Sequence, residues 1–218
     1  VEDRIYKAIF EGVMAQRLAP GTKLPESSLC ELFDASRSTV RRVLQRLAHD
    51  HIVELRPNRG ASIAVPTLED TRQIFEARRE LEASLIRLAA QRVTKADLAL
   101  LRAKLEQEHQ AMHRFDQPAW ARLASGFHLY LAELSGNALL RRYLTEIISR
   151  CSLIVALYET PGNAGCEHDE HERIVACLAR RDGDAAAALM VEHINGLEQR
   201  IHLRGQRPEP GLKELLGL

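Results

Sequence analysis

Aromatic residues make up only 5% of the 218-residue sequence, with a single tryptophan. There are four cysteines, Cys30, Cys151, Cys166 and Cys177, and no two of them form a CxxC pair. That excludes a zinc ribbon or a thioredoxin-type redox motif and reads as reduced, mostly buried thiols. No apolar run approaches the roughly 20 residues that a membrane span needs. The first residues carry no signal-peptide pattern, so a cytoplasmic protein is expected, with no membrane partner. No nucleophile elbow, phosphate loop or Ser-His-Asp order appears, which removes the commonest hydrolase and nucleotide-binding signatures. Beyond residue 66 there is no convincing strand signal, no internal repeat and no low-complexity segment apart from the short alanine run at 185–188.

The chain also lacks net charge, with 30 basic and 30 acidic residues. The balance is an average over two unequal parts. Residues 1–66 hold 10 Lys+Arg against 8 Asp+Glu, a net of +2, and the remainder holds 20 against 22, a net of −2. Between Arg37 and Arg59 six arginines face two acids. Because salt screens surface charge within about 8–10 Å, this local excess matters more than the total.

The six arginines are centred on an amphipathic helix. Ser36 is placed to cap it. Val40, Val43, Leu44 and Leu47 fall at i, i+3, i+4 and i+7 and form one buried stripe. Ser38, Arg41, Arg42 and Gln45 centre on the opposite face, with Arg46 at its edge and Arg37 at the helix start. Guanidiniums can fork onto phosphate or guanine, and Ser, Thr and Gln can reach bases or backbone. A solvated helix face has the same composition, so the flanking sequence decides. A helix over 1–17, a Pro20-Gly21 break and a short helix Glu26–Phe33, with Leu29, Leu32 and Phe33 pointing inward, precede it. The last of these forms a helix-turn-helix with the basic segment. Ile52–Leu55 and Ala61–Val65 read as strands around an Arg56-Pro57-Asn58-Arg59-Gly60 turn. Such a hairpin after a reading helix is a wing, able to set Arg59 over a minor groove or backbone, with Gly60 allowing close approach.

The combination Leu18-Ala-Pro-Gly-Thr-Lys-Leu-Pro-Glu26, Ser36-Arg-Ser-Thr-Val-Arg41, Leu47-Ala and Pro57-Asn-Arg-Gly60 resembles the winged helix-turn-helix of GntR-family bacterial transcription regulators. The resemblance implies that Arg37, Ser38, Thr39 and Arg41 meet double-stranded operator DNA, with the Asn58–Gly60 wing tip alongside. Some members carry a further DNA-contacting Arg early in the second helix, where this chain has Ser27.

From Thr67 onward the patterning is helical. Thr67 with Asp70 and Thr94 with Asp97 are capping boxes. Helices are expected over 68–93, from 94 to about 115, from Pro118 to about 135, over 137–159, over 165–180 and over 182–204. Three histidines sit on apolar stripes. His128 lies with Trp120, Leu123, Phe127 and Leu131, His171 with Ile174, Val175 and Leu178, and His193 with Ala186, Leu189 and Leu197. Inward imidazoles from three helices could converge on Zn, Ni, Co or Mn. Taken singly, each is as well read as a satisfied core histidine, and spacing cannot show convergence. His109 with His113, and Cys166-Glu-His168, are weaker clusters of exposed helix and loop.

Residues 68–210 resemble the all-helical FCD effector domain of the FadR branch of the same family. The resemblance rests on Glu76-Ala-Arg78-Arg-Glu-Leu-Glu82, Phe127-His128, Ser135-Gly-Asn137, Glu170-His171 and Glu192-His193. Metal-binding members use an Asp and three His, the Asp four residues before the first His. Ala124 stands there in this chain, leaving His128, His171 and His193 as the implied metal set. The loss of that carboxylate should weaken metal retention and leave positions open to an anionic ligand. Arg78 is the implied clamp for a carboxylate effector. A salt bridge with Glu82 is its other reading. Asn137 is either an effector contact or simply a helix cap.

The expected architecture is therefore mainly α. A winged helix-turn-helix over 1–66 is followed by an all-helical effector and dimerisation domain over 67–210 and a tail over 211–218. The resemblance implies a homodimeric, ligand-responsive regulator, most often a repressor, released from a near-palindromic operator by a small organic acid. Two alternatives stay open at this level. One is a metal-dependent hydrolase or lyase using the three histidines, and the other an effector-independent DNA-binding dimer.

Overall fold

A computed structural model describes residues 1–14, 17–158 and 164–201, with only the backbone described for 117, 118 and 164–168. The expected tail over 211–218, the last residues of the expected second domain and the Cys166–His168 side chains lie outside the described residues.

The first helix, α1 (Glu2–Met14), turns Ile5, Ile9 and Val13 inward at intervals of four. A two-residue strand, β1 (Lys23–Leu24), follows, then α2 (Glu26–Phe33) and α3 (Arg37–His49). The turn between the two helices is made by Asp34, which takes a left-handed conformation (φ 49°), its N–H bonding back to Cys30. Asp is among the few residues that tolerate this region. Ser36 then caps α3 as expected, its Oγ accepting from the Thr39 N–H at 3.2 Å. Strands β2 (Val53–Arg56) and β3 (Gly60–Ile63) close the hairpin. The sheet is antiparallel in the order β1-β3-β2, with Val53 opposite Ile63, Arg56 opposite Gly60 and Lys23 opposite Ser62.

β1 was not foreseen. Its two residues are too few to show alternation, and the Pro-Gly turn beside it reads as a break. In fact Gly21 (φ 77°) lets the chain double back, so that its N–H reaches the Ile63 carbonyl at 3.0 Å. Leu32, expected to point inward, is 75% exposed, because the side of α2 turned to the core is the one that carries Leu29.

The rest is helical: α4 (Leu68–Arg92), α5 (Lys95–His113), α6 (Gln117–Leu134), α7 (Ala138–Tyr158), α8 (Ala164–Ala179) and α9 (Gly183–Arg200). Both capping boxes form, with Thr67 bonded to Asp70 and Thr94 to Asp97. Asp116 and Asp182 cap α6 and α9 through their side chains. The long α4 packs chiefly on α9 and also on α6 and α7. Phe75, Ile86, Leu101, Phe127, Ile154, Ile174, Leu178, Met190 and Ile194 fill one core.

α7 belongs to both halves of the molecule. Ile154 lies in the helical core, whereas Leu153 and Ala156 are buried with Ile5, Val40 and Leu44 of the N-terminal core. Beside them the Ser149 hydroxyl donates to the Asp50 carbonyl at 3.1 Å. The Arg150 guanidinium reaches the His51 ring at 2.8 Å. Burial, and then the charge of Arg150, lower the pKa of His51. Asp50 is the C-cap of α3, so the joint sits at the rear of the basic helix.

Candidate functional site

Two constellations of polar side chains stand out, one on the surface and one inside. On α3 the apolar stripe Val40, Val43, Leu44 and Leu47 is buried as the sequence predicts, and this fixes which side faces out. Arg37, Ser38, Arg41, Arg42 and Gln45 are exposed and Thr39 is half-buried. The hydroxyls of Ser38 and Thr39 lie 2.8 and 2.9 Å from Ser36 Oγ, gathered at the helix start. Three of the arginines are held by acids from neighbouring helices. Arg41 Nε donates to both carboxylate oxygens of Glu26 at 2.9–3.0 Å. Arg42 donates twice to Glu2, at 2.6 and 2.9 Å. Arg46 pairs with Asp3 at 3.0 Å and stacks over the Tyr6 ring. The wing tip carries Asn58 and Gly60 at positive φ (59° and 76°), with exposed Arg59 between them. Arg59 N–H closes the turn on the Arg56 carbonyl at 3.1 Å. A groove-sized helix with cations and hydroxyls outward, followed by a basic hairpin tip, is geometrically suited to duplex DNA.

The interior constellation is built by α4, α5, α6, α8 and α9. His128, His171 and His193 are buried, and one nitrogen of each ring lies within 4.8 Å of the other two. The convergence that spacing could not show is therefore present. Each ring is oriented from behind by a carboxylate. His128 Nδ1 meets Glu82 at 2.5 Å, His193 Nδ1 meets Glu170 at 2.7 Å, and His171 Nδ1 meets Glu108 at 3.1 Å. An ionised carboxylate only accepts, so the proton sits on Nδ1 and the Nε2 lone pair is left bare. Nε2 of His171 and of His193 are buried without a partner. Burial pushes the pKa of His128 down to about 4 and that of His193 well below the usual range, so both are neutral at pH 7. Burial alone would raise Glu82, but His128, once protonated in acid, and Arg78 hold it at about 2 through charge and hydrogen bonds. Three imidazoles, each with an outer carboxylate on Nδ1, form a donor set that fits a first-row divalent ion.

Arg78 is buried on α4, where its Nε donates to Glu82 at 2.6 Å and Nη1 to Cys151 Sγ at 3.1 Å. It also lines a cavity of about 40 Å³ beside the histidines, together with Trp120, Ala124, Ser125, Ser152 and others. Asn137 does not line that cavity. Its Oδ1 accepts from the Leu140 N–H at 3.1 Å, making it the cap of α7. His109 and His113 lie one turn apart on α5, Nε2 to Nε2 at 2.9 Å.

Sequence reasoning missed the three orienting acids. A signal for them exists. Glu82 lies on the stripe of Leu85 and Ala89, Glu108 on that of Leu101 and Leu105, and Glu170 four residues before Ile174. An acid at an apolar stripe position asks for a buried partner. Trp120 was placed on a core stripe, and its unpartnered Nε1 was not foreseen.

Among the described residues no helix is long and apolar enough to cross a membrane. Two family descriptions match the chain: bacterial regulatory proteins of the gntR family over residues 1–63 and the FCD domain over 73–196. The HTH-type transcriptional repressor RspR of Escherichia coli K12 is 24% identical, with 92% of this chain and 89% of that protein aligned. The HTH-type transcriptional regulator LutR of Bacillus subtilis 168 is 30% identical, over 83% of this chain and 92% of its own length. The solved structure of a putative GntR regulator from Rhodococcus sp. RHA1 shares the fold, with a TM-score of 0.78 at 23% identity over 91% of this chain and 95% of that one. The enzyme alternative falls with these matches, since an exposed basic helix, a wing and a helical bundle around three histidines are found here in a DNA-binding transcription regulator of the GntR family with an FCD domain.

Proposed function

We propose that the chain is a ligand-responsive repressor. In this reading residues 1–66 read the operator and residues 67–210 bind the effector and dimerise. Two copies would read half-sites about one helical turn, 34–36 Å, apart on a near-palindromic site. Arg37, Ser38, Thr39, Arg41, Arg42 and Gln45 meet the major groove and its phosphates, and Asn58, Arg59 and Gly60 meet the flank. His128, His171 and His193 hold a divalent ion of the Zn, Ni, Co or Mn class, and Arg78 supports a small organic acid beside it. When bound, the ion supplies a Lewis-acidic centre for the acid's oxygens. The chain's own residues orient the rings, exclude water and supply positive charge.

The observation that carries ligand response is the position of α7. The same helix lines the histidine cavity with Cys151 and Ser152 and is buried in the N-terminal core through Leu153 and Ala156. A shift of α7 on effector binding therefore cannot leave the rear of α3 in place. Linkage of the usual size would change operator affinity by about 5–150-fold.

The test is fluorescence anisotropy of the chain's own promoter region at low ionic strength. Wild-type protein should bind, and the double variant Arg37→Ala/Arg41→Ala should lose on the order of 100-fold or more, each base or phosphate contact contributing roughly tenfold. A wild type that forms no complex, or a double variant that binds equally well, overturns the reading. Binding that no metabolite alters would leave the effector-independent dimer instead.

A further inference from the structure

Away from the buried histidines, two further imidazoles stand together near the end of α5. His109 is half-buried and His113 exposed, with Nε2 2.9 Å from Nε2. Their ring centroids are 4.3 Å apart and the ring planes cross at 78°. Two arrangements bring imidazole nitrogens this close, and the two distances together tell them apart. In a hydrogen bond one ring points straight at the other. With a ring radius of about 1.1 Å, a straight bond of this length sets the centroids about 5.2 Å apart. Lone pairs aimed at a shared point make the rings converge instead. An ion at about 2.05 Å from each nitrogen, with a right angle between the bonds, sets the nitrogens about 2.9 Å and the centroids about 4.5 Å apart. The observed 2.9 and 4.3 Å follow the second arrangement.

The angle also narrows the ion. A tetrahedral centre would open the nitrogens to about 3.3 Å, whereas adjacent corners of a square-planar or octahedral centre keep them at about 2.9 Å. The i, i+4 spacing is the one by which a helix presents two histidines to a single metal ion. Glu106 lies on the same helix face, three residues before His109, and accepts from Gln110 Nε2 at 2.9 Å. Its carboxylate offsets positive charge on that face. We propose that His109 and His113 chelate a divalent ion of the Ni(II) or Cu(II) class on the surface of the helical domain, with water in the remaining positions. The site is separate from the three buried histidines and stands or falls without them. An ion there clamps the last turn of α5, ahead of the corner where Phe115 takes a positive φ of 55°. The purified chain then takes up one ion more than the buried histidines hold.

The experiment is calorimetric titration of the metal-free full chain with Ni(II). His113→Ala removes an exposed ring and should lower the stoichiometry by one ion, whatever the buried histidines take up. The double variant His113→Ala/Gln110→His keeps all nine histidines but sets the second ring next to His109 in sequence, where the two do not face each other. It should behave as His113→Ala does. Affinity at this site should fall about 100-fold or more, because the second donor no longer binds as an intramolecular partner. His171→Ala, which breaks the buried set, should leave the outer ion in place. Circular dichroism of each variant checks the fold. Equal stoichiometry in the wild type and His113→Ala overturns the inference. Full nickel affinity in the double variant overturns it as well, since separate imidazoles would then suffice. Loss of all nickel in His171→Ala overturns it by placing the ion inside.

Discussion

The arginines of α3 and the arginine of α4 are both paired with acids, yet the pairs differ in kind. Arg41, Arg42 and Arg46 lie on the surface against Glu26, Glu2 and Asp3, where water and salt screen both partners. Arg78 meets Glu82 inside the protein, where Glu82 also orients His128. Exposed pairs contribute little to stability and exchange partners readily. A buried pair is expensive to break because the partner left behind is an uncompensated charge. Charge on the outside is therefore available to a phosphate, which needs only to displace a carboxylate. Charge on the inside is held by Glu82, the acid that orients the His128 ring. The ligand-responsive regulator proposed above would have use for both arrangements.

The largest effect that sharpens this contrast is Glu82→Ala. It strands Arg78 and frees the His128 ring, and urea unfolding should show a loss of about 3–5 kcal/mol. A loss as small as that of a surface pair would erase the distinction. Tyr6 is the intermediate case. Its hydroxyl donates to Asp50 at 2.8 Å, and burial followed by that contact raises its pKa to about 12. The unfolded tyrosine ionises at its ordinary value of about 10, so the unfolded chain releases its proton first. Stability should hold below pH 10 and fall as pH rises from 10 through 12, and Tyr6→Phe should flatten that fall in a pH series of melts. The smallest effect on folding is expected of Glu26→Ala. Its melting temperature should match the wild type, while operator affinity rises severalfold because Arg41 no longer has a competing carboxylate. Unchanged or weaker binding in anisotropy would mean that Glu26 positions Arg41 and does not compete for it.

Much of the surface site was legible in the sequence, because its logic is local. A cap, a stripe and a turn are separated by a few residues, so periodicity alone aims Arg41 and Gln45 outward. The wing followed from two β-rich runs around Pro57–Gly60. The interior site was legible only in halves. Period 3.6 aims His128, His171 and His193 inward one at a time, but their meeting depends on how α6, α8 and α9 pack, which no single helix encodes. Glu82, Glu108 and Glu170 were hidden for a related reason. An acid beside arginines on a helix looks like a solvated pair until the partner helix covers it. Trp120 fits the core pattern, and nothing in the sequence marks its N–H apart from the ring, while β1 is held by its neighbours more than by its own two residues.

The joint between Ser149 and the Asp50 carbonyl has a mechanical meaning. It ties the C-terminal end of α3 to α7, at the opposite end of the helix from exposed Arg37. Thirteen residues at 1.5 Å each make an arm of roughly 20 Å. A swing of roughly ten degrees about that fulcrum carries the arm's tip about 3.4 Å, the height of one base step. Under the proposed linkage, no large rearrangement would be needed to take the helix out of register with DNA. A pivot shifted slightly at the hinge is read out as a slip of one letter at the tip.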